Sequence, residues 1–268
     1  LSPAGEPDEA GGMLDVPIGS WPLLADRFGD ERPGPLIYPH AVRTGLGRIR
    51  VDRWPDPRVV LAELPSNYAL RGDPDRLDPA ELADVIGFVD AEPAWLPALR
   101  ATDPGVVSWP RLIAALPPDA PLPDLDPEPD PDGADTVRRL GPSDVPALRA
   151  HDAGGHWIWS TWGGPEALAD AGVAHGAFVA GALVSIAVPF YLGRRHGDLG
   201  VVTDPGFRGR GLSTRCAGAV AADVRARGLV PTWTTSPDNA ASRAVAARLG
   251  FVACGEDVLY VVRTPVPT

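Results

Sequence analysis

The segment Asp198-Leu-Gly-Val-Val-Thr-Asp-Pro-Gly-Phe-Arg-Gly-Arg-Gly-Leu-Ser213 runs from a strand-like stretch into a turn of glycine and arginine, and the turn opens into a helical pattern. The first turn of a helix leaves backbone N–H groups unpaired and carries partial positive charge. Gly209 and Gly211 keep side chains out of an anion's way, while Arg208 and Arg210 add charge beside it. From Asp204 to Gly250 seven arginines stand against three aspartates, a formal +4 inside a chain of net charge −11. Positive potential focused on one edge of an acidic protein suits an anionic ligand, a diphosphate above all. The plain alternative is a turn that uses glycine for backbone reasons only. Two other phosphate loops fail on spelling. A Walker loop needs Lys before Ser or Thr, and all 24 basic residues here are arginine. A dinucleotide fingerprint needs a third glycine where Thr214 stands.

Outward from this loop, apolar residues at 212, 216, 220 and 224 predict a helix over 211–227 that Gly228 stops. Strands are expected at 198–203 and 230–235, a short helix at 239–248 and a last strand at 258–263. Upstream lie a strand at 136–140, a helix capped by Ser143 and reaching about Ala150, a helix at 165–170, and strands at 174–180 and 183–191. The uncharged run Gly172–Gly193 is long enough to cross a membrane, but its glycines and Pro189 favour two strands around a turn. Strands and helices in this order describe an α/β layered domain, and nothing repeats at a fixed period.

The first half is less regular. Residues 1–18 are expected to form a loose tail and 19–119 a smaller mixed α/β region. Within it RIRVD (48–52) and RVVLAE (58–63) predict a hairpin, and Asp78-Pro-Ala-Glu81 a capped helix over 79–86. Segments 95–99 and 110–116 are short helical candidates. Five prolines and six acids between 120 and 135, with no basic residue, mark a linker before a second unit at 136–268.

Composition narrows the classes further. With 44% apolar and 22% charged residues, the 268-residue chain can bury a sizeable core. A net charge of −11 repels a nucleic-acid backbone. Cys216 and Cys254 lack metal-ligand or CxxC spacing; one disulfide is arithmetically possible, but two buried, reduced thiols are expected. An acidic N-terminus without a basic, apolar leader points to a cytoplasmic protein with no membrane association. Metal chemistry is not expected, and the pattern leaves room for a homodimer.

Arg208-Gly-Arg-Gly-Leu-Ser213 resembles the acyl-CoA pyrophosphate motif of the GNAT (general N-acetyltransferase) superfamily, and Thr203-Asp-Pro-Gly-Phe-Arg208 resembles its lead-in. Downstream, Asn239-Ala-Ala-Ser242 and Arg248-Leu-Gly-Phe251 resemble that superfamily's second hallmark. The likeness covers about 136–268. It implies a mixed, twisted sheet flanked by helices, whose strands at 198–203 and 230–235 splay apart around the pantetheine arm of acetyl-CoA. It further implies that the backbone of Val201, Val202 and Thr203 holds pantetheine. By the same likeness Arg208, Gly209, Arg210, Gly211, Leu212 and Ser213 hold the pyrophosphate, and Asn239 with Ser242 touches the cofactor's far side. Two departures stand out: Ser213 replaces a Gly or Ala, and Ala246 replaces the tyrosine that commonly protonates the leaving thiolate.

Acetyl transfer to an amine needs a base, a donor for the carbonyl oxygen and an escape for the thiolate. Asp198 is the first candidate base and His196 the second; a strand amide near Gly200 or Val201 can serve the carbonyl, and Ser242 the thiolate. Trp162, Trp233 and Tyr260 are candidate pocket residues for a small-molecule or peptide amine, although Trp157, Trp159 and Trp162 alike can be plain core. The expected function is therefore an N-acetyltransferase working by direct attack in a ternary complex. The alternative is an acyl-CoA-binding sensor without catalysis.

Overall fold

The uncharged run Gly172–Gly193 folds as strands β8 (His175–Val179) and β9 (Ala182–Leu192), joined at Ala180 and Gly181, whose φ angles of 48° and 82° make a tight hairpin turn. The computed structural model describes residues 12–122, 135–151 and 155–267, and among these no helix is long and apolar enough to cross a membrane. Residues 1–11 of the expected tail and 123–134 of the expected linker lie outside the described residues.

β9 continues antiparallel into β10 (His196–Thr203), while β7 (Asp135–Arg139) flanks β8 on the outer edge. Helix α6 (Leu212–Ala226) lays Leu212, Cys216, Val220 and Val224 on β8, β9 and β10, as their four-residue spacing predicts. β11 (Val230–Thr235) runs parallel to β10, and helix α7 (Ala240–Arg248) follows it. Before β8, α4 (Val145–Ala150) and α5 (Pro165–Ala171) are linked by a 3-10 segment over 155–162.

The first half supplies β1 (Leu14–Asp15), β2 (Arg48–Val51), β3 (Val59–Leu64), β4 (Asn67–Gly72) and β5 (Gly87–Ala91), with α1 (Ala25–Phe28), α2 (Ile37–Thr44) and α3 (Leu96–Thr102). The hairpin expected at 48–63 is β2–β3. Three expectations need correction. The helix at 79–86 is a single 3-10 turn, Pro79–Leu82, because Glu81 accepts from the Met13 amide instead of completing its capping box. The segment 95–99 is helical as expected, running from a 3-10 turn over Pro93–Trp95 into α3, whereas Cys254, expected to be a buried thiol, is exposed on the last strand. Segment 110–116 is no helix: Val107–Ala115 forms β6, bonded on one side to β11 and on the other to β12 (Val252–Val262), a strand longer than expected. Two ladders of interstrand hydrogen bonds outweigh weak local propensity there.

The twelve strands among the described residues form one mixed sheet, in the order β1-β2-β3-β4-β5-β12-β6-β11-β10-β9-β8-β7. Read inward from either end, the order is the same: four antiparallel strands, a parallel step (β4 to β5, β10 to β11), then the final strand of the opposite half. Each half therefore donates its last strand to the other. A search for a fixed period misses this likeness, because the halves share connectivity and not spacing.

Three apolar clusters back the sheet. The largest lies between α6 and β8–β10; the other two pack around α2 and α3 on opposite faces of β3 and β4. His40 of α2 ties the halves together. Its Nδ1 accepts from the Leu192 amide and its Nε2 donates to the Thr161 carbonyl, each at 2.9 Å. Burial drives its pKa down to about 4, so the ring is neutral and its tautomer is fixed by these two bonds.

Candidate active site

β10 and β11 stay paired only from His196↔Val230 to Leu199↔Trp233. Beyond that point β10 continues against β9 as far as Thr203↔Ser185, and β11 against β6 as far as Thr235↔Leu112. The two inner edges, 200–203 and 234–235, thus part without a strand partner. A register shift between Asp198 and Leu199, which leaves Phe190 of β9 as the extra residue, adds local twist where the split begins. Gly200 sits at the fork, where a Cβ would stand 3.2 Å from both Ile158 Cδ1 and Trp157 Cζ3, so the close cover of the 3-10 segment requires glycine there. The expected V between these strands is present. Val201, Val202 and Thr203 line its unpaired edge, and the carbonyl of Thr203 accepts from Arg208 Nε at 3.3 Å.

At the mouth of the split α6 begins. Gly211 is its N-cap, with φ 77°, and Gly209 has φ 79°; a Cβ at either would meet no atom within 4 Å. The first intrahelical bond is Arg215 N to Gly211 O, and the amides of Leu212, Ser213 and Thr214 find no acceptor among the described residues. Three orphan donors at a glycine-walled helix end are the kind of arrangement that suits an anion, and among the described residues no side chain bonds to them. Arg208 is exposed beside it, and Arg210 lies over the Phe207 ring.

The second motif forms the opposite wall. Asn239 caps α7 by accepting from the Ser242 amide at 2.9 Å. Ser242 Oγ accepts from Trp233 Nε1 at 2.9 Å, and its own hydroxyl proton has no acceptor among the described residues. Ala246, at the position where the resemblance leads one to expect a tyrosine, is buried in the core.

On the face of the sheet away from α6, Asp198 is buried at the foot of the split. Its Oδ1 accepts from Thr232 Oγ1 and Thr234 Oγ1, both at 2.9 Å. Burial pushes its carboxyl up to about 6, against the pull of the two hydroxyls and of Arg111. His196, at the start of the strand, is engaged elsewhere: its Nδ1 lies 3.1 Å from Glu31, whose carboxylate also accepts from the amides of Arg194, Arg195 and His196. Burial alone would raise the Glu31 pKa, yet those amides and His196 hold it below the ordinary value.

The aromatic candidates divide. Trp162 and Trp233 are core residues, with Trp162 Nε1 donating to the Pro189 carbonyl at 2.9 Å and Trp233 set edge-on against Phe251. Tyr260 lies on β12, three strands from β10 in the order given above, within the cluster around α3. Trp157, 43% exposed, covers Gly200 and the Phe190 ring instead. One residue had no sequence signal. Arg111 of β6 shares the sheet face of Thr232 and Thr234, stacks over Trp109 at 3.9 Å and donates Nη2 to the Thr234 carbonyl at 3.2 Å. Only the strand exchange brings it there, and 110–116 read as a helix conceals that placement.

Residues 148–260 match the family described as GNAT acetyltransferase. An uncharacterized N-acetyltransferase in the mutA 5′ region of Streptomyces virginiae is 35% identical over 222 residues, covering 80% of this chain and 90% of that protein. The crystal structure of a GCN5-related N-acetyltransferase-like protein from Streptococcus suis 89/1591 superposes with a TM-score of 0.68 at 20% identity, over 91% of this chain and 98% of that one. An acetyltransferase from the GNAT family of Colwellia psychrerythraea gives 0.58 at 14% identity, over 93% and 98%.

Proposed function

The chain belongs to the GNAT acetyltransferase family, and on that premise we propose that it moves an acetyl group from acetyl-CoA to an amine by direct attack. The observation that carries this reading is the split of β10 from β11 after Leu199↔Trp233, which opens toward the unpaired amides at the start of α6. The residues present fit the donor. The orphan amides of 212–214, with Arg208 and Arg210 beside them, suit its pyrophosphate, and the free edge of Val201–Thr203 suits an extended pantetheine. When bound, acetyl-CoA supplies an activated acyl group on a thiol that leaves readily.

The protein's own groups supply the rest. Asp198, ionised above a pKa of about 6, takes the proton that makes an amine nucleophilic. An amide at Gly200 or Val201 donates to the carbonyl oxygen as charge builds on it. Ser242, whose Oγ already accepts from Trp233, has its own proton to offer to sulfur. No covalent enzyme intermediate is needed, and Cys216 cannot form one readily: burial pushes its thiol up to about 12.

Thiol release from acetyl-CoA across amines, aminoglycosides and peptide N-termini tests the reading, with saturable turnover on at least one class expected. Ala246 favours a second reading, a binding protein without catalysis. Tight acetyl-CoA binding with no turnover on any acceptor would select it.

A further inference from the structure

Arg111 is an unsatisfied cation at the centre of the acceptor face. Its guanidinium has five N–H donors, yet it makes one hydrogen bond, to the Thr234 carbonyl. Its Nε is buried with no partner. Among the described residues no carboxylate pairs with it, although three stand near, of which Asp238, in the loop after β11, interacts with it only through space. Asp257, its partner across the β6–β12 register, is bonded to Arg32 at 2.8 Å. Asp198 receives the two threonine hydroxyls and interacts with Arg111 only through space. Its Cζ lies 3.9 Å from the centre of the Trp109 ring, and a planar fork packed on an aromatic face with its donors unspent matches a carboxylate. The exposed face of Trp157 walls the same side of the sheet near Gly200.

We propose that Arg111 is a specificity-determining residue that receives a carboxylate on the acceptor, which makes the acceptor a small zwitterion of the amino-acid class. Asp198 then faces the ammonium and Arg111 the carboxylate, two opposite charges of the protein meeting two of the ligand. The inference rests on the acetyl-transfer reading above. The chemistry balances without a further reagent: the nitrogen–carbon bond forms as the carbon–sulfur bond breaks. An ammonium and a thioester give an amide, a thiol and one proton, which leaves by way of Asp198.

The test uses the full chain with acetyl-CoA and three matched sets of acceptors: free amino acids, their carboxamides, and alkylamines of similar size. For wild-type protein we expect kcat/KM for the preferred amino acid to exceed that for its carboxamide by tenfold to a hundredfold, roughly the value of hydrogen bonds to a charged group. Arg111→Gln should erase that preference, chiefly through KM, while leaving acetyl-CoA affinity by calorimetry unchanged. Arg111→Lys should restore part of it. Equal turnover of amino acids and carboxamides by the wild type overturns the inference and leaves the acetyltransferase reading standing. So does a loss in Arg111→Gln that is the same for all three sets, which marks a merely structural role. Failure to bind acetyl-CoA at all would remove both. The wild-type comparison needs no variant, so a poorly folded Arg111→Gln protein does not block the test.

Discussion

Asp198 shows how one buried carboxylate ties chemistry to stability. As the proposed base it would work only when ionised, so kcat/KM should fall as pH drops through about 6 and level off above it. Asp198→Asn should lower the rate by about 10²–10⁴; an unchanged rate would remove the residue from the mechanism. Stability runs the other way. The folded protein holds this proton more tightly than the unfolded chain, whose aspartates titrate near ~3.9. Its contribution is complete below that value and is lost as pH rises through about 6. The Tm of Asp198→Asn minus that of wild type should therefore increase between pH 4 and pH 7, because the amide keeps an oxygen for Thr232 and Thr234 and carries no charge to bury. At this scale sequence is an uneven guide. Asp198 stands out because it is an acid near the start of the strand that leads to the loop. Thr232, Thr234 and Arg111 do not, because what gathers them is strand pairing across 34 and 123 residues of chain.

Among the elements, the start of α6 is the most legible and the most exposed to a single change. Gly209 and Gly211 have φ angles of 79° and 77°, a region that costs an L-residue about 1–2 kcal/mol. A Cβ at residue 211 would meet no atom within 4 Å, so the penalty of Gly211→Val is expected to centre on the turn and not on the core under α6. We expect a modest fall in Tm together with at least a tenfold loss of acetyl-CoA affinity by calorimetry; unchanged affinity would mean that the diphosphate sits elsewhere. The loop could be read from sequence because its chemistry is local: glycines, arginines and a helix start within a few residues. β6 is the opposite case. Leu112, Ile113 and Ala114 carry no period that tells strand from helix, and their identity is decided by β11 and β12, neither of which is near in sequence.

In the whole molecule the exchange of β6 and β12 sets the cooperativity. Neither half has its sixth strand without the other, and His40 bonds the first half to Thr161 and Leu192 of the second. Urea unfolding followed by tryptophan fluorescence and by circular dichroism should give one coincident transition, and a fragment of residues 136–268 should not fold stably alone. Two separate transitions would show that the exchanged strands couple the halves weakly. The composition of the first half also gains a physical meaning. At the place corresponding to the start of α6 it carries Gly72-Asp-Pro-Asp-Arg-Leu-Asp78 and two short 3-10 turns, a segment of net negative charge.

The traded strands therefore divide what the two halves are free to lose. Among the described residues the first half has neither a glycine-walled helix start nor a helix as long as α6, yet it cannot be discarded, because its closing strand, β6, sets Arg111 on the face of Thr232 and Thr234. Changes within residues 107–115 should then register as altered substrate choice, with the proposed grip on acetyl-CoA in the second half left intact.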